Sequence, residues 1–433
     1  VTEPTTPLHI PDYRRFWAAR FTSVLATNGM VVIIGYQLYD VARQTYGMTI
    51  PQASFLLGML GLAQFVPMFL LTPIAGVVAD RFDRRHVGAC AMGIDLIVAL
   101  MLALATGGGW LNLPLLFSLG VAHGTARVFV GPAVGSIAPV IVPAAILPRA
   151  VALNSLAMQT GMIGGPALAG ILFGIHAPLP YAVSTALLVV GIMALLSIRP
   201  LPPVAANKDV HPLRQVADGF SYVRGHPFLL GCITLDLFAV LLAGATALLP
   251  IYARDFLTWN GMSVGASGLG QMRAAPALGA AVFGLILAFY PLQRRVGYVM
   301  LGAVAAFGAA TIGFGLSAWV PGNGGYLLAL ASLVALGAFD MISVFVRGSL
   351  IQLHTPDEMR GRVSAISGLA ISASNELGEM ESGFAASLLG PIWAVVLGGI
   401  GAIVITCLWG WLFPDIRRAY SFAREETPHK GDT

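Results

Sequence analysis

Charge is scarce in this sequence. Of 433 residues only 10% are Asp, Glu, Lys or Arg, and lysine occurs twice, as Lys208 and Lys430. A soluble domain usually carries about 25% charged residues, so a surface made to face water throughout is excluded. With a net charge of only +4 there is no general polyanion-binding surface, and no nucleic-acid partner is expected. Cysteine is nearly missing too. Cys90, Cys232 and Cys407 lie inside apolar runs, an odd number without metal-ligand spacing, so neither a disulfide framework nor a metal site is expected. They read as small buried hydrophobes. His-Glu-x-x-His and a glycine-preceded lysine are both absent, which leaves zinc-hydrolase and phosphate-loop chemistry without their usual groups. No enzyme and no cofactor are expected.

Apolar residues are abundant: 57% of the chain is hydrophobic, with a mean hydropathy of +0.81. A membrane-crossing helix needs ~20 mostly apolar residues. Such runs fall at 16–42, 52–79, 86–106, 112–140, 148–175 and 179–198, and again at 227–256, 262–290, 296–318, 324–353, 360–389 and 391–413. The expected fold is an all-α polytopic membrane protein of twelve spans, with membrane lipid as its solvent.

The basic residues fix an orientation. Eighteen of the 24 Lys and Arg fall in segments facing one side, two (Arg43 and Arg254) face the other, and Arg20, Arg127, Arg273 and Arg347 lie within spans. By the positive-inside rule the rich side is cytoplasmic, and both termini are expected there. Residues 199–226 form the one long polar stretch. The expected organisation is an N-terminal bundle (1–198), a cytoplasmic linker (199–226), a C-terminal bundle (227–413) and a cytoplasmic tail (414–433). Within the linker, Leu213, Val216, Phe220 and Val223 stand at helical spacing, which reads as a helix on the inner membrane surface or as a plain connector.

The two bundles look like repeats. Val142–Arg149 resembles Thr355–Arg362 at an offset of 213, which also carries Leu156 onto Leu369, Gly165 onto Gly378, Gly170 onto Gly383 and Arg127 onto Asp340. Parallel six-helix repeats suit a carrier whose halves rock about a central site.

Three local patterns point to one family. Gly76-Val77-Val78-Ala79-Asp80-Arg81-Phe82-Asp83-Arg84-Arg85, between spans 2 and 3, is similar to the signature Gly-x-x-x-Asp-Arg-x-x-Arg-Arg of the major facilitator superfamily. Its counterpart in the second half keeps Gly284 and Arg294-Arg295 but has Ala288 in the acidic position. Arg127 to Gly131 resembles the helix-4 element of that family. Gly161 to Gly170, with Gly165-Pro166, resembles its antiporter element. Thr355–Arg362, Asn375–Gly378, Gln37–Asp40 and Ala63–Pro67 narrow the resemblance to the branch of drug and siderophore exporters that contains the enterobactin exporter. The resemblance implies the family's fold of two pseudo-symmetric six-helix bundles in a bacterial inner membrane, and secondary active export driven by protons. It implies a cytoplasmic latch at Gly76, Asp80, Arg81, Arg84 and Arg85, whose arginines are expected at the lipid headgroups. It also implies an antiporter element at Gly161, Gly165, Pro166 and Gly170.

Ionisable side chains at membrane depth are costly and usually line a polar path. Glu376 and Glu379, three apart in span 11, share a face, whereas Glu381 points elsewhere. Carboxylates crowded in low dielectric hold protons nearer neutral pH. Glu376 and Glu379 are therefore the expected proton carriers, with Asp236 or Asp340 as a second site. Arg127, Arg273 and Arg347 are expected as counter-charges or contacts for an anionic solute; fixed ion pairs holding the fold together are the competing reading. Asp95 reads as a packing group and His123 as a satisfied core histidine. Tyr36, Gln37, Asp40, Phe238 and Glu381 join the candidate solute lining, because mixed aromatic and polar walls suit an amphipathic organic molecule. The expectation is a monomeric, proton-coupled exporter of such a solute. A lysophospholipid flippase or an importer of the same fold is the alternative.

Overall fold

Proline and short polar side chains set where the helices begin. Thr49 and Gln52 bond reciprocally, the Gln52 side chain accepting from the Thr49 N–H at 2.9 Å, which satisfies two donors at a helix start. Asn112 accepts from the Leu115 N–H at 3.0 Å in the same role, and Asp83 accepts from the Arg85 N–H at 2.9 Å. Prolines in the first turn, such as Pro11, Pro227 and Pro391, fall where a missing N–H leaves nothing unpaired.

The computed structural model describes residues 6–201, 212–290, 292 and 294–421. Its long helices are α1 (Pro11–Gln44), α2 (Ile50–Arg81), α3 (Arg84–Gly108), α4 (Leu113–Gly135), α5 (Leu147–Ile175) and α6 (Leu179–Leu196). After a linker helix (Pro212–Gly225) come α7 (Pro227–Leu242), α8 (Gly265–Phe289), α9 (Val296–Leu316), α10 (Asn323–His354), α11 (Asp357–Leu389) and α12 (Pro391–Leu412). Short turns prolong α7 to Phe256. Among the described residues, eleven helices are long and apolar enough to count as spans by length and composition alone; α11 is not among them. Its acids, including Glu376, Glu379 and Glu381, dilute it, and it crosses as the twelfth span.

The sequence expectation for span 8 began at residue 262. Instead Thr258–Trp259 pairs antiparallel with Met262–Ser263, and α8 starts at Gly265. The turn is Asn260-Gly261, at φ 51° and 79°. Two positive φ values in a row define the tight hairpin turn that Asn-Gly adopts at least cost.

The end where α1 starts is here the basal end and the opposite end the distal. In the first bundle α1 packs on α5 and α6, α2 on α4, and α3 on α4 and α6; in the second α8 and α9 pack on α10, α9 on α12, and α7 on α11 and α12. Two seams join the bundles: α2 with α11 and α5 with α8. Both close on glycine near the distal end. A Cβ on Gly383 would stand 2.5 Å from Gly58 Cα, and one on Gly270 would stand 3.1 Å from Gly170 Cα. Missing side chains are what let the backbones approach this closely. One apolar core runs from the first bundle into the distal stretch of α7 and α8 through Leu248, Leu249, Tyr252, Leu269 and Met272. A second core, including Leu229, Val296, Val346 and Val363, keeps to the second bundle. Toward the basal end no such close approach is seen: a Cβ at Gly76, Gly131, Gly135, Gly348 or Gly368 would meet nothing within 4 Å.

The arginines of the α2–α3 turn do not all sit at headgroups. Arg85 is buried, donates to Ile198 O at 2.5 Å and clasps Asp83 at 2.6 Å, tying the start of α3 to the end of α6. Arg84 donates to Ser136 O at 2.9 Å, and Arg81 is exposed. The side chain of Asp80 lies outside the described residues, as do those of Ala288, Leu213 and Val216. The linker helix rests on the basal turn of α11. Gly219 lies against the Arg362 backbone, Asp218 stands 3.7 Å from Arg362, Val223 is buried and Phe220 exposed. It is thus a docked helix rather than a plain connector.

Candidate functional site

Helical spacing puts Glu376 and Glu379 on the face of α11 that meets the first bundle. Glu376 accepts from Arg127 of α4 at 2.8 Å, linking the two bundles at mid-depth. Glu379 stands 3.6 Å from Arg273 of α8, which also donates to Thr246 O at 3.3 Å. Gly61 of α2 makes room for it: a Cβ there would lie 3.1 Å from Glu379 Cβ. Each acid has an arginine, yet neither pair is sealed. The Arg127 side chain is 55% exposed and that of Glu379 31%. Glu381 is half-buried and makes no ion pair among the described residues.

A second charged group lies inside the second bundle. Arg347 of α10 is ion-paired to Asp236 of α7, both buried. Asp340, two turns before Arg347, lines a small pocket with Asp236, Val304, Phe307 and Ser343. Asp340 makes no ion pair among the described residues. The first bundle holds a different pair: His123 Nδ1 lies 2.7 Å from Asp95 Oδ1, both fully buried, with His123 Nε2 lacking a hydrogen-bond partner. Asp95 thus packs as expected, whereas His123 is only half satisfied.

At the distal end the tips of α1 and α7 are clasped. Tyr39 donates to Asp255 at 2.5 Å, Arg254 stands 3.0 Å from Asp40 and 5.7 Å over the Tyr39 ring, and Arg43 lies 3.9 Å from Asp255. Asp40 was a candidate for solute lining and is instead occupied here. Sequence reasoning missed the clasp; the two basic residues on the poor side, Arg43 and Arg254, were its only trace.

The remaining candidates scatter. Tyr36 packs on Phe173 of α5, centroids 5.6 Å apart. Gln37 is buried within the first bundle, accepting from Tyr181 at 2.6 Å and donating to Thr106 at 3.2 Å. Phe238 packs on Trp409 of α12, centroids 5.3 Å apart. The antiporter-like glycines all sit at close approaches. A Cβ on Gly161 would meet Val24 at 2.7 Å, and one on Gly165 the Leu25 carbonyl at 2.6 Å. Gly170 and Pro166 face Gly270 across the α5–α8 seam.

The profile described as Major Facilitator Superfamily matches residues 16–379. Similar curated proteins are named Enterobactin exporter EntS. The one from Citrobacter koseri is 26% identical over 417 residues, covering 94% of this chain and 93% of that protein. The one from Escherichia coli O1:K1 is 25% identical over 416 residues, with the same coverage. Among solved structures, a POT family transporter in complex with a thioalcohol-conjugated peptide superposes with a TM-score of 0.72 at 15% identity, covering 93% of this chain and 96% of that one. The inward-open xylose transporter XylE from E. coli superposes at 0.67 and 13% identity, with the same coverage. At such identities these two show shared fold alone. The profile covers well over half of the chain, which is therefore a member of the major facilitator superfamily, a transporter built as twelve helices in two six-helix bundles.

Proposed function

We propose that this transporter exports an amphipathic organic solute, a siderophore or drug, in exchange for protons, by alternating access, working as a monomer in a bacterial inner membrane. Residues 1–198 and 227–413 are the rocking bundles. The positive-inside count assigns the basal end, both termini, the linker (199–226) and the tail (414–433) to the cytoplasm. On that assignment the structure reads as inward-facing: glycine seams and the Tyr39–Asp255 clasp shut the distal side, and the basal glycines make no such close approach.

The observation that carries the reading is the Arg127–Glu376 bridge between bundles. A carboxylate near an arginine favours its charged form, and burial favours the neutral one. A proton on Glu376 would release Arg127 and free the bundles to rearrange; its loss to the cytoplasm would restore the bridge. Glu379 with Arg273 acts beside it, and Asp236 with Asp340, near Arg347, forms a second proton site. A ligand or proton moves the equilibrium only as far as its preference for one opening over the other.

The test is solute-dependent proton flux in proteoliposomes, with enterobactin as the first solute because the curated relatives are named for it. Glu376→Gln is expected to abolish proton flux while solute counterflow continues, and Glu379→Gln to weaken flux. Normal coupling in both variants sinks the reading. One feature favours the flippase alternative: an apolar recess beside the α2–α11 seam, lined by Met48, Pro51, Phe55, Leu56 and Ser387. Flipping of a fluorescent lysophospholipid without solute efflux would select it.

A further inference from the structure

Four arginines lie at membrane depth, and three have carboxylate partners: Arg127, Arg273 and Arg347. Arg20 has none among the described residues. It stands on the basal half of α1, nine residues from Pro11, roughly 14 Å along the axis at 1.5 Å per residue. Its Nη2 donates to Met158 Sδ of α5 at 3.3 Å, and a thioether is a weak acceptor. Its Nε is buried with no hydrogen-bond partner. The same is true of Asn154 Oδ1. Asn154 is one turn before Met158, hence on the same face of α5.

A cation at membrane depth whose Nε is buried, with poor acceptors and no counter-charge, is expensive. Two orphaned polar groups on one helix seam double the anomaly. Beside them lies a flat apolar surface. Trp17, one turn before Arg20, stacks on Phe21 with centroids 5.4 Å apart and planes 10° from parallel. Its indole is held by a 2.9 Å bond to Leu153 O. Arg20 is partly exposed, in the basal half of the molecule.

We propose that Arg20 and Asn154 form the recognition point for an oxyanion, carboxylate or phenolate, on the transported solute. Arg20 binds the oxyanion, Asn154 flanks it on the same face of α5, and Trp17 with Phe21 carries its flat body. The subsite deepens the export reading and rests on it for the word "transported". It assigns the solute an anionic aromatic class, and it leaves Arg127 to Glu376. A phospholipid phosphate shares the oxyanion chemistry and is separated by experiment.

The test is equilibrium binding of 2-naphthoate and neutral 2-naphthamide to the purified chain in phosphatidylcholine nanodiscs. The native protein should prefer the acid by about tenfold or more, the size of one charge-assisted hydrogen bond. Arg20→Gln should cut that preference to within about twofold while naphthamide binding and melting temperature hold; Arg20→Lys should keep part of it, since charge survives without the planar fork. An unchanged preference in Arg20→Gln, or no preference in the native chain, overturns the proposal. So does equal loss of both ligands in Arg20→Gln and Arg20→Lys, which marks a packing role. Loss of acid preference in phosphatidylglycerol nanodiscs would give Arg20 to a lipid headgroup and overturn it as well. Binding is read without transport, so failure of the flux experiment on Glu376 and failure here are separate results.

Discussion

The α2–α11 and α5–α8 seams are two copies of one device with different contents. Each closes on a pair of facing glycines, Gly58 with Gly383 and Gly170 with Gly270. Gly170 and Gly383 are related by the offset of 213 that relates the halves of the sequence. Yet α11 carries Glu376, Glu379 and Glu381, while the equivalent α5 carries no acid. Backbone approach is a requirement of the fold, so duplication preserved it on both sides. Charge at membrane depth is costly, and two of the three acids on that side have a partner, Arg127 for Glu376 and Arg273 for Glu379. The scaffold is symmetric, and the chemistry is not.

That contrast can be tested from several directions. The largest expected effect lies inside the second bundle. Arg347→Ala should lower stability by about 3–5 kcal/mol, because it strands a buried carboxylate at Asp236. Melting in detergent should show it, and Asp236→Leu with Arg347→Met should recover most of it. Next come the seams. Gly383→Ala and Gly170→Ala should each cost about 1–3 kcal/mol of the distal-closed state through overpacking, read as increased distal accessibility of a reporter cysteine; an effect in only one would break the symmetry half of the comparison. Tyr39→Phe should favour distal opening by roughly 1.5 kcal/mol, the worth of a hydrogen bond to a charged group, in the same assay.

The smallest effect concerns Asp83. Burial pushes its pKa up, but hydrogen bonds and charge from Arg85, with a contribution from His86, hold it below the usual value of 3.8. A depressed folded pKa means stability that is present above 3.8 and lost as pH falls through the folded value. Asp83→Ala should therefore cost about 1 kcal/mol at neutral pH, the worth of a helix cap. The gap from the native chain in melting temperature should narrow below pH 4.

Twelve spans were legible in the sequence because lipid demands long apolar runs, and the repeat was legible because glycines and the Arg149 and Arg362 turns kept register. The acids of α11 announced themselves by being out of place in lipid. What stayed hidden were pairings. Nothing in the spacing of Asp255 and Tyr39 says they meet 216 residues apart. Gln37, Asp40 and Phe238 looked like solute lining, but side-chain direction across a bundle is decided by neighbours such as Tyr181, Arg254 and Trp409. Arg85 looked like a headgroup contact until Ile198 supplied a carbonyl.

The dilution of α11 reaches beyond transport to how the protein is made. A helix with carboxylates at mid-depth meets a penalty of roughly 3 kcal/mol for each when it leaves the translocon alone. α12, among the most apolar helices of the chain at a hydropathy of 2.3, follows immediately after Gly390. α11 is thus placed to enter as the poor partner of a hairpin and to settle against α2, synthesised some three hundred residues earlier. Biogenesis of the C-terminal half should then depend on a finished N-terminal half, and lesions in α2 should surface first as degradation of newly made chains.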